Sequence, residues 1–259
     1  DATSATGWDC CKFQKRDPDV CVPEHQKNVM RETPWGTMKY IDYKYKVEFQ
    51  KKEYDIINEN CKNKNLGWSA SVWDYNSLDF LIDNYPDIPF IKIPSAINGS
   101  YDFLIDTCKT NKPILVSLGM SSLKQSDKVV DILNKYSSDF CIMHTNSAYP
   151  APNNQLNLSL IPFFINRYKC PVGYSGHEKN LEPSVIASIL GANVIERHVT
   201  LDHTMWGSDH ACSLEVHAMD MLRKRIISAR ESIGKPNKKV FDAEAPKIKS
   251  LKNDNITRS

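Results

Sequence analysis

Residues 173–215, GYSGHEKNLEPSVIASILGANVIERHVTLDHTMWGSDHACSLE, contain the most informative pattern in the sequence. Two short extended runs flank a helical run from Leu181 to Leu190, and Gly191 follows as a typical helix-ending residue. The extended runs finish in His177 and His198, respectively. Because the strands of a strand–helix–strand unit lie parallel, both imidazoles are expected at the same end of the sheet, where they could form half of a metal site. Histidines at this spacing are more often ordinary core or surface residues than metal ligands, so the assignment of a metal site depends on evidence from the rest of the chain.

A further polar cluster, GSDH, follows the second of these runs. Asp209 and His210 stand in a loop that has just left the predicted strand at its carboxyl end. Active sites of barrel enzymes lie at this end of the strands. The segment therefore predicts a functional site built around two histidines and an aspartate.

Composition favours a small-molecule partner. The chain has 259 residues and a formal net charge of +2, and it shows no long run of lysine or arginine. This charge pattern does not indicate nucleic acid as a partner. A membrane is not indicated either, since no apolar run reaches membrane-spanning length and the first residues do not resemble a signal peptide.

The eight cysteines are scattered and include no CxxC pair. In a chain of this size we interpret them as reduced, mostly buried thiols, which predicts a cytoplasmic location. The sequence does not begin with methionine, and we interpret it as a fragment of a longer protein.

Short apolar runs alternate with helical runs along most of the chain. The predicted strands are residues 9–14, 67–74, 90–95, 113–120, 140–147, 172–178 and 193–199. The predicted helices are residues 40–64, 78–82, 101–108, 127–136, 156–168, 181–190 and 215–233. Residues 15–39 form a long polar connection with several breakers, and loops of that length are usually functional.

This alternation predicts an α/β fold with a parallel sheet covered by helices. Seven strands are one short of the eight that close a (β/α)8 TIM barrel, so we predict a barrel that lacks its first strand in this chain. A doubly wound open sheet is the second choice of fold. It is less favoured because no GxGxxG turn, which would support a dinucleotide site, follows any predicted strand. Residues 1–234 are predicted to form the barrel domain, and residues 235–259 a polar carboxyl-terminal extension.

Nearly every predicted strand delivers a polar residue to the same rim. Two lysines among several hydroxyls suit an anion that carries phosphate and carboxylate groups. A single serine at a strand end is as often a helix cap as a ligand. Lys92 has a stronger case, because it stands between Ile91 and Ile93 in a buried strand, and an unpaired buried ammonium costs much free energy. Lys12, between Cys11 and Phe13, supports the same argument.

The chain resembles the N-acetylneuraminate (sialic acid) synthase family, including its animal-type members that act on a phosphorylated sugar. The resemblance rests, in order, on KFQ (12–14), KIPS (92–95), SLGM (117–120), HTNSAYPAP (144–152), GYSGHE (173–178), and ERHVTLD followed by GSDHACSLE (196–215). It runs over nearly the whole chain, and the last two motifs are specific in combination.

The resemblance implies a phosphoenolpyruvate-dependent condensation. In this reaction the enol carbon attacks the aldehyde of an N-acylated mannosamine or its 6-phosphate, water adds at the former enol-phosphate carbon, and phosphate leaves. It also implies a divalent ion, Mn²⁺ or Mg²⁺, held by His177 and His198, that polarises the aldehyde oxygen as a Lewis acid. Four residues are implied to be catalytic, namely His177, His198, Lys92 and Glu196.

The same resemblance implies two sets of substrate-binding residues. The phosphoenolpyruvate set is Lys12, Ser71, Lys92, Ser95, Ser117 and Ser175. The residues implied to face the sugar are Gln14, Tyr149, Glu196 and Asp209. An asparagine of the related segment aligns with Ser147 when Tyr149 anchors the alignment and with Asn146 after a shift of one position, so both stay candidates.

Three features depart from the family pattern. A first strand that carries a glutamate is absent from the sequence, and so is the carboxyl-terminal antifreeze-like domain, which lends an arginine to the sugar site of a partner subunit. Ile97 stands where relatives have a polar residue. The exchange between subunits implies a homodimer for the full-length form.

Two alternative functions are compatible with these residues. A non-catalytic homologue would keep the barrel and the anion site without turnover. A metal-dependent hydrolase on the same barrel is less favoured, because two histidines and an aspartate without an HxH pair are few ligands for a hydrolytic zinc centre.

Overall fold

The structure, a computed structural model, describes residues 1–137 and 139–253. In chain order the strands are β1 (Cys10–Lys15), β2 (Met30–Arg31), β3 (Met38–Lys39), β4 (Gly67–Val72), β5 (Ile91–Ile93), β6 (Ile114–Ser117), β7 (Phe140–Thr145), β8 (Val172–Gly176) and β9 (Ile195–Arg197).

The described helices alternate with most of these strands. They are α1 (Ala2–Ala5), α2 (Pro18–Cys21), α3 (Glu24–Lys27), α4 (Tyr40–Val47), α5 (Lys51–Asn63), α6 (Tyr75–Asn84), α7 (Tyr101–Cys108), α8 (Leu123–Tyr136), α9 (Leu160–Tyr168), α10 (Glu182–Ile189), α11 (Val216–Ile233) and α12 (Ala245–Leu251). Short 3₁₀ turns lie at Ser95–Ile97, Asn153–Gln155, His210–Cys212 and Asp242–Glu244.

The main sheet is parallel, and its strands follow one another in sequence order. The order is β1-β4-β5-β6-β7-β8-β9, so the described part of the chain contributes seven strands to this sheet. A doubly wound sheet would reverse its strand order, and this one does not. The predicted fold class is confirmed: the chain forms seven strands of a (β/α)8 barrel with helices outside.

Side chains of the strands separate into two rows because successive residues of a strand point to opposite faces. The outer row is mostly apolar and packs under the helices; Ala70, Ile91, Ile93 and Val116 in this row are fully buried. The inner row carries the polar residues. The alternation in the sequence therefore decides which side chains enter the barrel.

Contacts across the interior show that the sheet curls back on itself. The Nζ atom of Lys12 on β1 lies 3.4 Å from Oε1 of Glu196 on β9, although these strands are the first and the last of the sheet. The Nζ atom of Lys92 on β5 reaches Oε2 of the same glutamate at 3.0 Å. Strands far apart in the sheet order thus face one another.

The predicted helix over residues 40–64 is wrong in one respect, because the structure has two helices there, α4 and α5. Glu48 between them is extended, and its carboxylate accepts hydrogen bonds from Nζ of Lys15 and the backbone N–H of Arg16. A new helix then begins with a capping box between Gln50 and Glu53. The tertiary contacts of Glu48 break a pattern that helical spacing alone would continue.

Most other predicted elements are confirmed, with ends that differ by a few residues. Helix α9 begins at Leu160, four residues later than predicted, and the connection over residues 15–39 contains two short helices and the β2–β3 hairpin. The boundary at residue 234 stays a prediction. Residues 235–253 are exposed, and residues 254–259 of the predicted extension lie outside the described residues. None of the described helices combines the length and the hydropathy that a membrane span requires.

Candidate active site

The centre of the site is the carboxylate of Glu196 on β9. It lies 3.0 Å from the ammonium of Lys92 and 3.4 Å from that of Lys12, and it accepts a hydrogen bond of 2.9 Å from Oγ of Ser175. Lys12 also donates to Oγ of Ser71 at 3.1 Å. Five strands therefore deliver these five side chains to one point inside the barrel.

The charges of this cluster depend on one another. Burial raises the pKa of Glu196, but the ammonium groups of Lys12 and Lys92 outweigh burial and hold the pKa well below its usual range. Burial lowers the pKa of Lys92, whose side chain is almost fully enclosed, and the charge of Glu196 opposes that change. Two cations facing one anion leave the centre with a positive charge, which suits an anionic ligand.

His177 and His198 converge next to this cluster, as the sequence predicted. Their ring centroids lie 5.3 Å apart. Nδ1 of His177 lies 2.6 Å from the carbonyl oxygen of Asn146, which fixes the orientation of the ring. Nδ1 of His198 lies 3.7 Å from Oδ2 of Asp209. Both histidines leave the carboxyl ends of adjacent parallel strands, β8 and β9.

The two imidazoles have the chemistry of metal ligands. Burial lowers the pKa of His177, and burial together with the charges of Lys12 and His177 lowers the pKa of His198 to about 4. Neutral rings with free lone pairs bind divalent ions. Among the described residues, no group of three or more His, Cys, Asp and Glu side chains is arranged for a metal ion. The residues present fit a two-imidazole half-site whose remaining ligands come from water or substrate.

Tyr149 and Asp209 border the histidines on the side of solvent. The ring of Tyr149 lies 4.1 Å from that of His177 and 5.6 Å from that of His198. Burial, and then the charge of Asp209, raises the pKa of Tyr149 to about 12. The phenol is therefore a hydrogen-bond donor at neutral pH. An aromatic face beside polar groups is a common surface for a sugar ring or chain.

Serine side chains gather around Gly119 in the loop after β6. A Cβ atom at this position would clash with Oγ of Ser147 and lie 2.7 Å from Oγ of Ser95. The loop is held by Asn98, whose side-chain amide donates to the carbonyl oxygens of Ser117 and Gly119. The absence of a side chain at Gly119 lets two hydroxyls approach the backbone closely, as in an anion cradle.

Of the two open candidates, Ser147 has the uncommitted side chain. Its Oγ is buried and has no hydrogen-bond partner among the described residues. The side chain of Asn146 donates to the carbonyl oxygen of Gln155 and accepts from the backbone N–H of Ala148, so its hydrogen bonds stabilise the loop that contains it. A buried hydroxyl without a partner beside Gly119 marks a position for a ligand atom.

The remaining predicted residues, Ser117 and Gln14, lie at the same end of the barrel. Ser117 ends β6 and is buried. Gln14 accepts a hydrogen bond from the guanidinium of Arg16, two residues further along the inner row of β1. The predicted site residues thus lie within the strands of the main sheet or in the segments that follow them, with Glu196, the histidines and Gly119 as three adjoining centres.

Thr145 joins two of these centres, and it was not among the predicted site residues. Its Oγ1 lies 3.4 Å from Nδ1 of His177, and its methyl group lies 2.7 Å from where a Cβ of Gly119 would stand. A threonine at a strand end is too common to be recognised without coordinates.

Behind the histidines lies a buried ion pair that sequence reasoning also missed. Glu178 follows His177, Arg197 precedes His198, and Nη1 of Arg197 lies 3.0 Å from Oε1 of Glu178. Tyr174 and Ser184 also donate to the Glu178 carboxylate. The pair ties the ends of β8 and β9 together on the side away from the barrel interior and fixes the directions in which the imidazoles leave.

A cavity of about 670 Å³ connects the interior with the gap between β1 and β9. Its lining includes Lys12, Gln14, Glu196 and His198. The volume is in the range of small-molecule sites, and the polar groups converge on one side of it.

Comparison with known proteins gives a consistent set of matches. The NeuB family matches residues 1–238. The chain is 31% identical over 241 residues to the N-acetylneuraminate-9-phosphate synthase of Homo sapiens, covering 92% of this chain and 66% of that protein. It is 30% identical over 258 residues to the N,N'-diacetyllegionaminic acid synthase of Campylobacter jejuni, covering 98% of this chain and 75% of that protein.

A solved structure with a similar fold is that of N-acetylneuraminic acid (sialic acid) synthetase from Leptospira borgpetersenii serovar Hardjo-bovis, in complex with citrate. It matches with a TM-score of 0.84 and 25% identity, over 96% of this chain and 84% of that chain. The chain spans just under two thirds of the length of the human relative, at 66%.

Proposed function

The chain belongs to the NeuB family, and we propose that it is the barrel part of a phosphoenolpyruvate-dependent synthase of sialic or related nonulosonic acids. The acceptor is an N-acylated mannosamine-type sugar or its 6-phosphate. The observation that carries the proposal is the convergence of Lys12 and Lys92 with two neutral histidines at one end of the barrel.

The proposed reaction forms one carbon–carbon bond. The methylene carbon of phosphoenolpyruvate attacks the aldehyde carbon of the open-chain sugar, and the aldehyde oxygen takes up a proton. Water adds at the former enol-phosphate carbon and loses a proton. The bond between that carbon and the bridging oxygen then breaks, and inorganic phosphate leaves. The new hydroxyl becomes the ketone and gives its remaining proton to the departing phosphate.

Phosphoenolpyruvate binds to the positively charged part of the site. Lys12 and Lys92 balance its negative charge, and hydroxyls of the serine set saturate its oxygens: Ser71, Ser95, Ser117, Ser147 and Ser175. Support comes from the almost complete burial of Lys92 and from the unpartnered hydroxyl of Ser147. In water-excluded surroundings such charge-assisted hydrogen bonds are stronger than at the surface.

Glu196 holds Lys12 and Lys92 in place before substrate binds. Its carboxylate shares both ammonium groups and Ser175, so an arriving anion finds the cations already positioned. Groups that are positioned in advance do not have to reorganise during the reaction. Gln14, Tyr149 and Asp209 then contact the sugar hydroxyls and the N-acyl group.

We also propose that His177 and His198 hold a divalent ion, Mn²⁺ or Mg²⁺. When bound, this ion polarises the aldehyde oxygen as a Lewis acid. The two neutral imidazoles support this assignment, and the hydrogen bond of His177 to Asn146 leaves its Nε2 atom free to ligate. Loss of Mn²⁺ binding in His177→Ala, followed by electron paramagnetic resonance, tests the ligand set independently of activity.

The experiment that tests the function uses the complete protein with Mn²⁺, phosphoenolpyruvate and either N-acetylmannosamine or its 6-phosphate. We expect sugar-dependent release of phosphate and a nonulosonic acid of matching mass. Phosphoenolpyruvate that binds but is never consumed with any hexosamine would contradict the proposal and indicate a binding protein instead.

The same assay, applied to protein variants, tests the role of Lys92. We expect Lys92→Met to lower kcat/KM for phosphoenolpyruvate by about 10²–10³-fold, since it removes a charge that the transition state needs. Lys109→Met is the matched control, because Lys109 is exposed and paired with Asp106 on the outer surface. Equal effects of the two substitutions would contradict the assignment of Lys92.

We further propose that the full-length protein works in the cytoplasm as a homodimer. All eight cysteines are free thiols, which fits a reducing compartment. Fractionation and light scattering of the complete protein test these two points.

A further inference from the structure

The inner row of β1 continues past the end of the strand. Lys12, Gln14 and Arg16 alternate on this row, whereas Phe13 and Lys15 face the helices and pack against aromatic rings. At about 3.3 Å per residue, Arg16 begins about 13 Å further out along the strand than Lys12. The row thus reaches from the deep anion cluster to the mouth of the barrel.

A second inner row, on β4, ends beside it. Ser69 and Ser71 are followed by Trp73, and the guanidinium carbon of Arg16 lies 4.0 Å from the centre of the indole ring. The same guanidinium donates to Oε1 of Gln14. Stacking on one side and a hydrogen bond on the other hold the planar group at the mouth, where it is half-buried.

In the described part of the chain, the guanidinium of Arg16 has no carboxylate partner. Within residues 1–137 and 139–253, no ion pair involves its guanidinium, and the buried Nε atom has no hydrogen-bond acceptor. The indole N–H of Trp73 is also buried and without a partner. Two donors oriented in this way are costly unless a ligand supplies acceptors.

The guanidinium lies on the proposed sugar side of the site. It donates to Oε1 of Gln14, one of the residues assigned to the sugar. Lys12 and Lys92 already provide two cations at the deep end for phosphoenolpyruvate. Arg16 is therefore a separate cationic centre, beyond Gln14 on the way out.

We propose that Arg16, stacked on Trp73, is the subsite for a phosphate ester on the acceptor sugar, at the end remote from the aldehyde. The inference rests on the proposed function, and it selects the 6-phosphate as the preferred acceptor. An open-chain sugar whose aldehyde lies at the histidines extends outward along β1, so its far end meets Arg16. The planar fork of arginine matches two phosphate oxygens, and the indole N–H adds a third donor.

The test compares two acceptors on two variants of the complete protein. For Arg16→Gln we expect kcat/KM for N-acetylmannosamine 6-phosphate to fall about 10–100-fold, as for loss of a charge-assisted contact with phosphate. The change for N-acetylmannosamine should be much smaller, so the ratio of the two values is the readout. Arg16→Lys should restore part of the preference, because it keeps the charge without the planar fork.

Arg31→Gln is a matched control, since Arg31 stacks on Tyr40 at 4.2 Å in the exposed hairpin, in a similar geometry. In this control, the ratio of kcat/KM for the 6-phosphate to kcat/KM for the free sugar should equal that of the wild type. Equal losses for both sugars in Arg16→Gln, or no loss for the phosphorylated one, would overturn the proposal.

Calorimetric titration of each sugar into the protein separates this inference from the reaction itself. If Arg16→Gln weakens binding of the 6-phosphate and not of the free sugar, the assignment of the subsite to Arg16 is supported, even if the protein releases no inorganic phosphate. If the wild type binds both sugars equally, the subsite is wrong even where the synthase reaction proceeds.

Discussion

At the scale of single residues, the ion pair of Glu178 and Arg197 supports the two histidines from behind. Both side chains are almost fully buried, and Tyr174 and Ser184 complete the hydrogen bonds of the carboxylate. A pair of this kind contributes little net stability when intact, but leaving one charge alone in the interior is costly.

We therefore expect Glu178→Gln to lower the free energy of unfolding by about 3–5 kcal/mol, since Arg197 would remain buried without its partner charge. Urea denaturation followed by circular dichroism measures the change. Glu182→Gln is the control, because the Glu182–Arg225 pair is exposed and is expected to contribute at most about 1 kcal/mol. A loss in Glu178→Gln no larger than in the control would refute the assigned role.

Arg16 shows why sequence reasoning missed a residue of the site. The predicted first strand ended at residue 14, whereas β1 extends to Lys15, so Arg16 fell into the predicted polar connection. Its inner position follows from the same alternation that predicted Lys12 and Gln14. The indole that holds it comes from another strand, and only the sheet register brings the two together.

At the scale of elements, the loop after β6 depends on Gly119. We expect Gly119→Ala to lower kcat/KM for phosphoenolpyruvate by about 10²-fold, because the added methyl group would displace the hydroxyls of Ser95 and Ser147. Steady-state kinetics of the complete protein provide the value. Gly99→Ala is the control, since a Cβ there meets no atom within 4 Å. Unchanged kinetics in Gly119→Ala would contradict a role of the serine hydroxyls around Gly119 in binding phosphoenolpyruvate.

Helices α8 and α9 are joined at the surface by Asp127. Its carboxylate accepts two hydrogen bonds of 2.8 Å from Arg167 and one from the hydroxyl of Tyr168. The hydrogen bonds from Arg167 hold the pKa of Asp127 below its usual value. Burial opposes this change, whereas the hydrogen bond from Tyr168 and the charge of Arg167 add to it. A lowered pKa in the folded state means that this contribution is present above the unfolded pKa, near 4, and is lost as the pH falls further.

Asp127→Asn should thus lower Tm at pH 7 by about 1–3 °C, as for an exposed ion pair. The difference from the wild type should shrink as the pH is taken below about 4. Thermal scans from pH 7 to pH 3 follow both changes, with Asp131→Asn on the same helix as the comparison. A difference that persists unchanged at pH 3 would contradict the role of the carboxylate charge.

The elements also mark where prediction from sequence stops. Alternating apolar and helical runs predicted all seven strands of the main sheet, because the outer rows of a barrel are largely apolar where helices cover them. The break between α4 and α5 was not predictable, since it depends on Glu48 reaching Lys15, a contact between segments distant in the sequence.

At the scale of the whole molecule, the barrel brings together residues that no local pattern connects. Glu196 contacts lysines on β1 and β5, and neither strand is its neighbour in the sheet. The sequence predicted that each of these residues reaches the rim. Their mutual contacts follow only from the curvature of the sheet, which places non-adjacent strands opposite one another.

In the proposed site, the divalent ion and phosphoenolpyruvate bind side by side at one mouth of the barrel. Phosphorus-31 relaxation of phosphoenolpyruvate bound to the complete protein, with Mn²⁺ added and Mg²⁺ as the diamagnetic reference, measures how close they are. We predict strong paramagnetic relaxation in the wild type and a fall to the protein-free level when His177 and His198 are both replaced by alanine. Bound phosphoenolpyruvate that relaxes equally in the wild type and in the double variant would contradict the claim.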